Sequence, residues 1–149
     1  MTVIVRDIDR GWKQIVKETT RSAAVRVGVQ QDTPGHGNDG ATMAEVAFYN
    51  EFGTRRIPER SFIRAAIDER DGYRVLVARL VRGITGKAIT LRQALHVLGQ
   101  QAQADIQAKI SSNVPPPNAP ATIARKGSSK TLIDTGAMRA AIRYRVEGA

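Results

Sequence analysis

The sequence predicts an α+β fold in which a small antiparallel or mixed sheet packs against two to four helices. Two segments alternate apolar with polar or basic side chains, as half-buried strands do: Ala23–Val29 and Ile142–Val146. Between them, residues 90–110 repeat apolar side chains every three or four positions, which is typical of one face of a long helix. A chain of 149 residues with 42% hydrophobic content can form a core of its own. We therefore treat residues 1–149 as a single domain.

The positive charge is concentrated in two regions of the chain. The net charge is +9, from 23 basic and 14 acidic side chains. Residues 55–92 carry ten basic and four acidic side chains, and residues 121–149 carry six and two. Seventeen of the basic residues are arginine, the cation that is preferred in interfaces because its planar fork pairs bidentately. This segregation favours contact with an acidic partner, either a protein or a nucleic acid.

Several classes of protein are disfavoured by composition. The chain has no cysteine, which excludes disulfide frameworks, thiolate nucleophiles and cysteine-based zinc sites. No window approaches the roughly 18 apolar residues that a membrane span needs, and the first residues lack the apolar core of a signal peptide. We expect a soluble intracellular product that does not interact with a membrane.

The first helix and a glycine-rich loop precede the basic regions. The helix is expected to begin at Asp7 or Asp9 and to run to about Thr20, with Trp12 contacting the core or another subunit. Residues 31–41 contain one proline and three glycines, a composition that predicts a flexible surface loop.

Residues 46–68 form the segment around which we expect the rest of the chain to be organised. A second helix, capped by Thr42, is predicted to end near Phe52, where Gly53 suits a positive φ just after a helix. Pro58 favours an extended residue before it. Ser61 is predicted to cap the helix that follows. The segment therefore predicts a helix, a rigid basic turn and a second helix; we call residues 55–64 the elbow.

Two helical patterns follow the elbow. The first runs from Ser61 to about Gly83 with many arginines, and Gly72 is the predicted kink or break. The second runs from Thr90 to about Ile110 and has a face rich in glutamine. His96 lies off its apolar stripe and is predicted to be a surface residue. The stripe consists of Leu91, Leu95, Leu98, Ala102, Ile106 and Ile110.

Residues 111–131 are predicted to be a second long irregular segment. The proline-rich run Val114–Pro120 favours a polyproline II conformation, and a flexible basic tip follows it. An arm that becomes ordered against a neighbouring subunit is the favoured interpretation. Asp134 or Thr135 is expected to cap a short helical turn. The segment Ile142–Val146 would then pair with the first strand.

The sequence does not support an enzymatic function. It contains no nucleophile elbow, phosphate-binding loop, zinc-protease motif or dinucleotide-binding motif. The tripeptide at positions 134–136, Asp-Thr-Gly, resembles the aspartic-protease loop but precedes a basic strand instead of following a strand in an all-β domain. His36 stands between two aspartates in the glycine-rich loop, which is too sparse a set for a metal site. We therefore predict no catalytic residue, no cofactor and no bound metal.

Two segments of the chain resemble signatures of one protein family. The run Tyr49–Thr54, followed by Ile57–Arg64, resembles the "EFGT…IPxRxFxR" signature of neck and tail-completion proteins of tailed bacteriophages. The run Leu132–Ile142 is similar to their "L-x-DTG-x-L-R-x-S-I" element, with Ala141 where serine is frequent. Together the two signatures cover about a quarter of the chain.

This resemblance implies a structural role in the virion. Such proteins are α+β subunits that form rings at the head–tail junction or cap the tail tube, and they are assembled in the cytoplasm of the host bacterium. The expected partners are identical copies in a homo-oligomeric ring, taken as a hexamer, together with neighbouring neck proteins and the tail tube protein. DNA would pass through the lumen without sequence-specific contacts.

The elbow and the proline-rich arm are the predicted contacts with adjacent subunits or rings. The basic face of the last strand is predicted to face the lumen or another acidic surface, through Arg143 and Arg145. The predicted interface residues are Phe52, Arg55, Arg56, Pro58, Arg60, Phe62, Arg64, Pro116 and Arg139.

Two alternatives remain open from the sequence. The chain could belong to another neck ring, as a head–tail adaptor or stopper. It could also be a basic nucleic-acid-binding protein, which predicts near-monomeric behaviour and a DNA affinity that falls steeply with salt. The ring interpretation predicts oligomers and weak binding to free duplex.

Overall fold

The α+β class is confirmed by the arrangement of helices around a two-stranded antiparallel sheet. The computed structural model describes residues 11–20, 22–30, 40–69 and 71–148. In those ranges the elements are, in chain order, α1 (Trp12–Thr19), β1 (Ala24–Val29), α2 (Met43–Phe52), α3 (Ile63–Asp68), α4 (Gly72–Thr85), α5 (Leu91–Ser111), α6 (Pro120–Lys126), α7 (Ala137–Ala141) and β2 (Ile142–Glu147).

The sheet joins the two predicted strands in antiparallel register. Val27 lies opposite Tyr144, and Arg26 lies opposite Arg145. One face of the sheet packs against α5, and its side chains are buried or half-buried. The other face is exposed and carries the arginines. This is the alternation that the valines of β1 and the arginines of β2 predicted.

Helix α5 is the longest helix in the described ranges and contacts both strands as well as α3 and α4. It begins with a capping box, in which the Thr90 hydroxyl accepts from the Gln93 N–H (3.2 Å) and the Gln93 side chain accepts from the Thr90 N–H (2.9 Å). The apolar stripe is confirmed in its second half, where Ala102, Ile106 and Ile110 are buried. In its first half the small residues are buried instead, at positions 94 and 99, and the leucines are half-buried beside them.

The small residue Gly99 allows α5 to lie directly on the sheet. A Cβ atom built on Gly99 would be 2.3 Å from Cδ2 of Tyr144 and 2.8 Å from Cγ2 of Val25. Neither the Tyr144 ring nor the Val25 side chain can move away without disturbing the sheet. A glycine in mid-helix is therefore required by packing, although it weakens the helix itself.

Replacing Gly99 with alanine is expected to lower the free energy of unfolding by about 2 kcal/mol, because overpacking outweighs the gain in helix propensity of about 1 kcal/mol. Urea denaturation followed by circular dichroism measures the change. The matched control is Ala104→Gly at an exposed position of α5, which isolates the propensity effect and should cost about 1 kcal/mol. A Gly99→Ala variant more stable than the wild type would contradict the close approach.

The core lies where α2, α5, β2 and the start of α3 meet. Its largest fully buried side chains are Met43, Phe62, Ile106, Ile110 and Ile142. The predicted irregular segment also enters it through Val114, and the second signature enters it through Leu132. The core is aliphatic apart from one phenylalanine, as the low aromatic content requires.

The N-terminal predictions are partly outside the described residues. Asp7, Asp9 and most of the glycine-rich loop, including His36, lie there. Helix α1 follows Gly11, which makes no side-chain cap, and the side chain of Trp12 is 68% exposed. Trp12 is therefore not a core residue of this subunit. Contact with another subunit stays a prediction.

The predicted long segments differ from the structure in their breaks. The run that begins at Ser61 is divided into α3, which ends at Asp68, and α4, which begins at Gly72. The break predicted at Gly72 is therefore confirmed. The segment 111–131 is not wholly irregular, because α6 occupies residues 120–126. Pro120 takes the first position of that helix, where a missing N–H costs nothing.

Candidate functional site

The elbow is held in shape by the buried carboxylate of Glu51 at the end of α2. This side chain is 4% exposed. It accepts hydrogen bonds from the Ser61 hydroxyl (2.7 Å) and from the N–H groups of Phe62 (2.7 Å), Ile63 (2.8 Å) and Arg64 (3.0 Å). The prediction that Ser61 caps the helix is wrong, since its hydroxyl donates to Glu51. The first turn of α3 is instead capped by a carboxylate from the preceding helix.

The protonation of Glu51 follows from these contacts. Burial raises the pKa of the Glu51 carboxyl. The hydrogen bonds from the N–H groups of Ile63, Arg64 and Phe62 and from the Ser61 hydroxyl lower this pKa by more than burial raises it. The pKa therefore lies below the ordinary 4.5. The group is therefore ionised at neutral pH. Its negative charge lies at the positive end of α3.

The turn between Gly53 and Arg60 is closed at both ends by backbone hydrogen bonds. The Thr54 N–H donates to the Ile57 carbonyl (2.7 Å), and the Arg60 N–H donates to the Asn50 carbonyl (2.7 Å). Gly53 has φ 71° and ψ 170°, so the predicted positive φ is confirmed. Its ψ is extended and not left-handed helical, which directs the chain straight into the turn. The rigid turn predicted from glycine and proline is thus present.

The structure exposes most of the predicted interface residues. Exposed side chains are what an interface requires, and the interface itself stays a prediction. The exposed set consists of Phe52, Arg55, Arg56, Pro58, Arg64, Pro116 and Arg139, together with Arg143 and Arg145 on β2.

Two predicted interface residues lie inside the subunit instead. Phe62 has no exposed surface and belongs to the core, and Arg60 is 6% exposed. Arg60 donates from Nε to the Pro116 carbonyl (2.8 Å) and from a terminal nitrogen to the Pro117 carbonyl (3.2 Å). Both residues therefore have internal roles: one fills the core and the other binds the proline-rich arm to the elbow.

The proline-rich arm folds back on its own subunit. Besides the bonds from Arg60, the Asn118 side chain donates to the Lys130 carbonyl (3.0 Å), and the Thr131 N–H donates to the Asn113 side chain (2.9 Å). The arm therefore has partners within its own chain, and its contact with a neighbour stays a prediction. Sequence reasoning missed the contact with the elbow because Arg60 lies 56 and 57 positions away from the two carbonyls that it binds.

The elbow, the arm and the second signature line one open cleft of about 590 Å³, which we call the junction cleft. The two family-like signatures are therefore neighbours in space. The elbow contributes Arg56, Ile57, Pro58 and Arg60 to the lining, the arm contributes Pro116 and Pro117, and the second signature contributes Leu132, Asp134 and Met138.

A second surface consists of the aromatic side chains of α2: Phe48, Tyr49 and Phe52. They are 57%, 38% and 56% exposed. The rings of Phe48 and Phe52 have centroids 4.9 Å apart, and the Arg64 guanidinium lies 5.8 Å from the Phe52 ring. We call this the aromatic surface. Of its residues, only Phe52 was predicted to be an interface residue from the sequence. The position of Phe48 and Phe52 opposite the buried Met43 and Ala47 was the signal that could have found the whole surface.

The outer face of the sheet is a third candidate surface, and it is basic. Arg26 and Arg145 lie directly opposite each other, and Arg143 lies opposite Gly28. Arg26 is paired with Glu147 at 3.0 Å. Three arginines with one carboxylate leave this face positive.

His96 differs from its predicted surface role. It is half-buried, and its Nδ1 lies 3.2 Å from the Tyr144 hydroxyl. The contact joins α5 to β2. Across the described ranges, no three His, Asp or Glu side chains are grouped as a metal site, and no helix is long and apolar enough to cross a membrane.

Comparison with known proteins gives no assignment. The chain matches no family model, no curated protein and no solved structure.

Proposed function

We propose that this chain is a structural subunit of a tailed phage, which forms a ring at the head–tail junction or caps the tail tube as a tail-completion or terminator protein. Its partners are identical copies in a hexameric ring, neighbouring neck proteins and the tail tube protein. The observation that carries the proposal is the aromatic surface beside the exposed arginines of the elbow. The resemblance of the two signatures supports it.

The aromatic surface is unusual for a subunit that acts alone. The chain has three phenylalanines, three tyrosines and one tryptophan, and four of these seven are exposed. Burying one phenylalanine side chain stabilises a complex by roughly 2 kcal/mol. Contiguous exposed aromatics with arginine at their edge are typical of protein interfaces. A ring needs a heterologous contact that closes, and this surface offers one side of such a contact.

The basic face of the sheet fits a lumen through which DNA passes. Like charges opposite each other across strands destabilise a sheet, and Arg26 and Arg145 are such a pair. An anionic surface nearby reduces that repulsion. Contacts of arginine with phosphates need no base sequence, as a passage for DNA requires.

The double substitution Phe48→Ser with Phe52→Ser is expected to weaken association of the subunits by more than about a hundredfold, since buried aromatic anchors contribute about 2–4 kcal/mol to an interface. Light scattering over a concentration series, with the neighbouring neck and tail tube proteins present, measures the change. The matched control, Val75→Ser with Val77→Ser on α4, removes apolar surface at other exposed positions and should assemble normally.

A map of the assembled particle tests the same proposal directly. It should show the aromatic surface covered by a neighbouring copy. A ring in which Phe48 and Phe52 face solvent would contradict the proposed contact. If the chain belongs to another neck ring, as an adaptor or a stopper, the map would place it in a different layer of the neck.

Nucleic-acid binding is the second candidate function, and the arginines on the outer face of the sheet favour it. It predicts that the purified protein binds duplex DNA with an affinity that falls steeply as salt rises. The ring proposal predicts weak binding to free duplex. A salt titration with duplex DNA, read with the mass in solution, separates the two.

A further inference from the structure

Arg60 is a buried cation in the wall of the junction cleft. Its guanidinium is buried, lines the same cleft and bonds to two proline carbonyls, with no carboxylate among its partners in the described part of the chain. A buried cation is ordinarily compensated by an anion. In this subunit that anion is absent from the residues that the structure describes.

The remaining charges of the cleft are mostly positive. Arg56 and Arg125 line it, and neither makes an ion pair with a described residue. Lys126 also lines it and donates to a backbone carbonyl, that of Lys130, at 2.8 Å. Asp134 is the one carboxylate that the described lining contains. An anionic occupant therefore finds several cations and little repulsion.

The uncharged lining indicates the class of occupant. It combines asparagine and threonine side chains with apolar ones such as Ile57, Pro58 and Pro116, and it contains no aromatic ring among the described residues. Single-stranded nucleic acids are bound by stacking their bases on aromatic side chains, which this cleft lacks. Apolar pockets beside cations suit the side chains of an extended peptide. The volume of about 590 Å³ lies in the usual range of binding clefts, about 300–1,000 Å³.

We propose that the junction cleft binds an extended acidic segment of a partner protein. Carboxylates of that segment pair with Arg56, Arg60 and Arg125, and its apolar side chains contact Ile57 and Pro116. This goes beyond ring formation and does not depend on it, because the cleft is formed within one subunit.

The experiment is a nuclear magnetic resonance titration of the isotope-labelled full chain. The probe is a short peptide in which glutamate alternates with leucine and proline, and the matched control peptide has glutamine for glutamate. The backbone signals of Asn118, Thr131 and Leu132 are expected to shift saturably with the glutamate peptide only. Absence of saturable shifts, or equal binding of the glutamine peptide, overturns the proposal.

Substitutions locate the binding. Arg56→Gln with Arg125→Gln should weaken binding of the glutamate peptide by roughly tenfold or more. The matched control, Arg143→Gln with Arg145→Gln, removes the same charge from the sheet and should leave the affinity nearly unchanged. If both pairs weaken binding equally, the cleft is not the site.

Other occupants have their own signatures in the same experiments. If an oligothymidylate bound with higher affinity and displaced the peptide, the occupant of the cleft would be a nucleic acid and not an acidic peptide. Loss of self-association in Arg56→Gln with Arg125→Gln, without any peptide, would make a second copy the occupant. The Phe48→Ser, Phe52→Ser variant should bind the peptide normally, which separates failure of this proposal from failure of the ring.

Discussion

Replacing Glu51 with alanine is expected to lower the free energy of unfolding by about 4 kcal/mol. The substitution removes the acceptor of four hydrogen bonds and leaves three backbone N–H groups, those of residues 62–64, without a partner at a mostly buried helix start. Each unsatisfied buried donor costs about 1–3 kcal/mol. Urea denaturation followed by circular dichroism measures the loss.

Two further substitutions make that result specific. Glu59→Ala removes an exposed carboxylate of the same elbow, which pairs with Arg64 at 2.5 Å, and should cost less than about 0.5 kcal/mol. Glu51→Gln keeps the size but not the charge and should lose about 2 kcal/mol, since one of its oxygens becomes a donor. If Glu51→Ala were as stable as Glu59→Ala, the elbow would not depend on this carboxylate.

The same carboxylate makes stability depend on pH. Because the pKa of Glu51 is lower in the folded chain than its ordinary 4.5, the unfolded chain binds more protons in the interval between the two values. The stabilisation is therefore complete above pH 4.5 and is lost as the pH falls through the folded pKa. The difference in unfolding free energy between the wild type and Glu51→Gln should shrink below pH 4.5. If the difference in unfolding free energy grew as the pH fell, the pKa shift of Glu51 would have the opposite sign.

Replacing Gly53 with alanine is expected to destabilise the fold by about 3 kcal/mol. At φ 71° and ψ 170° the backbone occupies a region open essentially to glycine alone, which costs other residues about 1–3 kcal/mol. The added Cβ would also lie 2.8 Å from the backbone nitrogen of Glu59 and 3.2 Å from the Ile57 carbonyl oxygen. Backbone atoms cannot rotate away as a side chain does, so the elbow must open.

The control for Gly53 is Gly127 at the end of α6. It also has a positive φ, 66°, but nothing lies within 4 Å of an added Cβ. Gly127→Ala should therefore cost only the conformational strain of a left-handed residue, about 1–2 kcal/mol. Thermal unfolding of both variants separates strain from collision. Equal losses would show that the collision at the elbow is relieved without cost.

The parts of the fold that depend on neighbouring residues could be predicted from sequence. Thr42 and Thr90 each cap a helix with the acidic or amide residue three positions on, because both partners of a capping box lie in the same turn. The strands followed from alternation. Their pairing followed because each has one apolar face that needs the same core.

The parts that depend on distant residues could not be predicted in this way. Arg60 looks like one more arginine of a basic turn, yet its partners are carbonyls 56 and 57 positions away. Ser61 has every local feature of a helix cap, but Glu51 reaches the same N–H groups with a full charge. Phe62 begins the apolar run that continues with Ile63, Ala66 and Ile67, but its place beside the basic turn led to its assignment to the interface. In each case a tertiary contact decided between two locally reasonable roles.

The strand pairing also constrains the timing of synthesis. β2 is synthesised after every other element in the described ranges, so β1 has no strand to pair with until the end of translation. Pairing across such a long stretch of chain is slow, because loop closure precedes any gain from contacts. A polypeptide that ends before Ile142 consequently lacks the two-stranded sheet against which α5 packs.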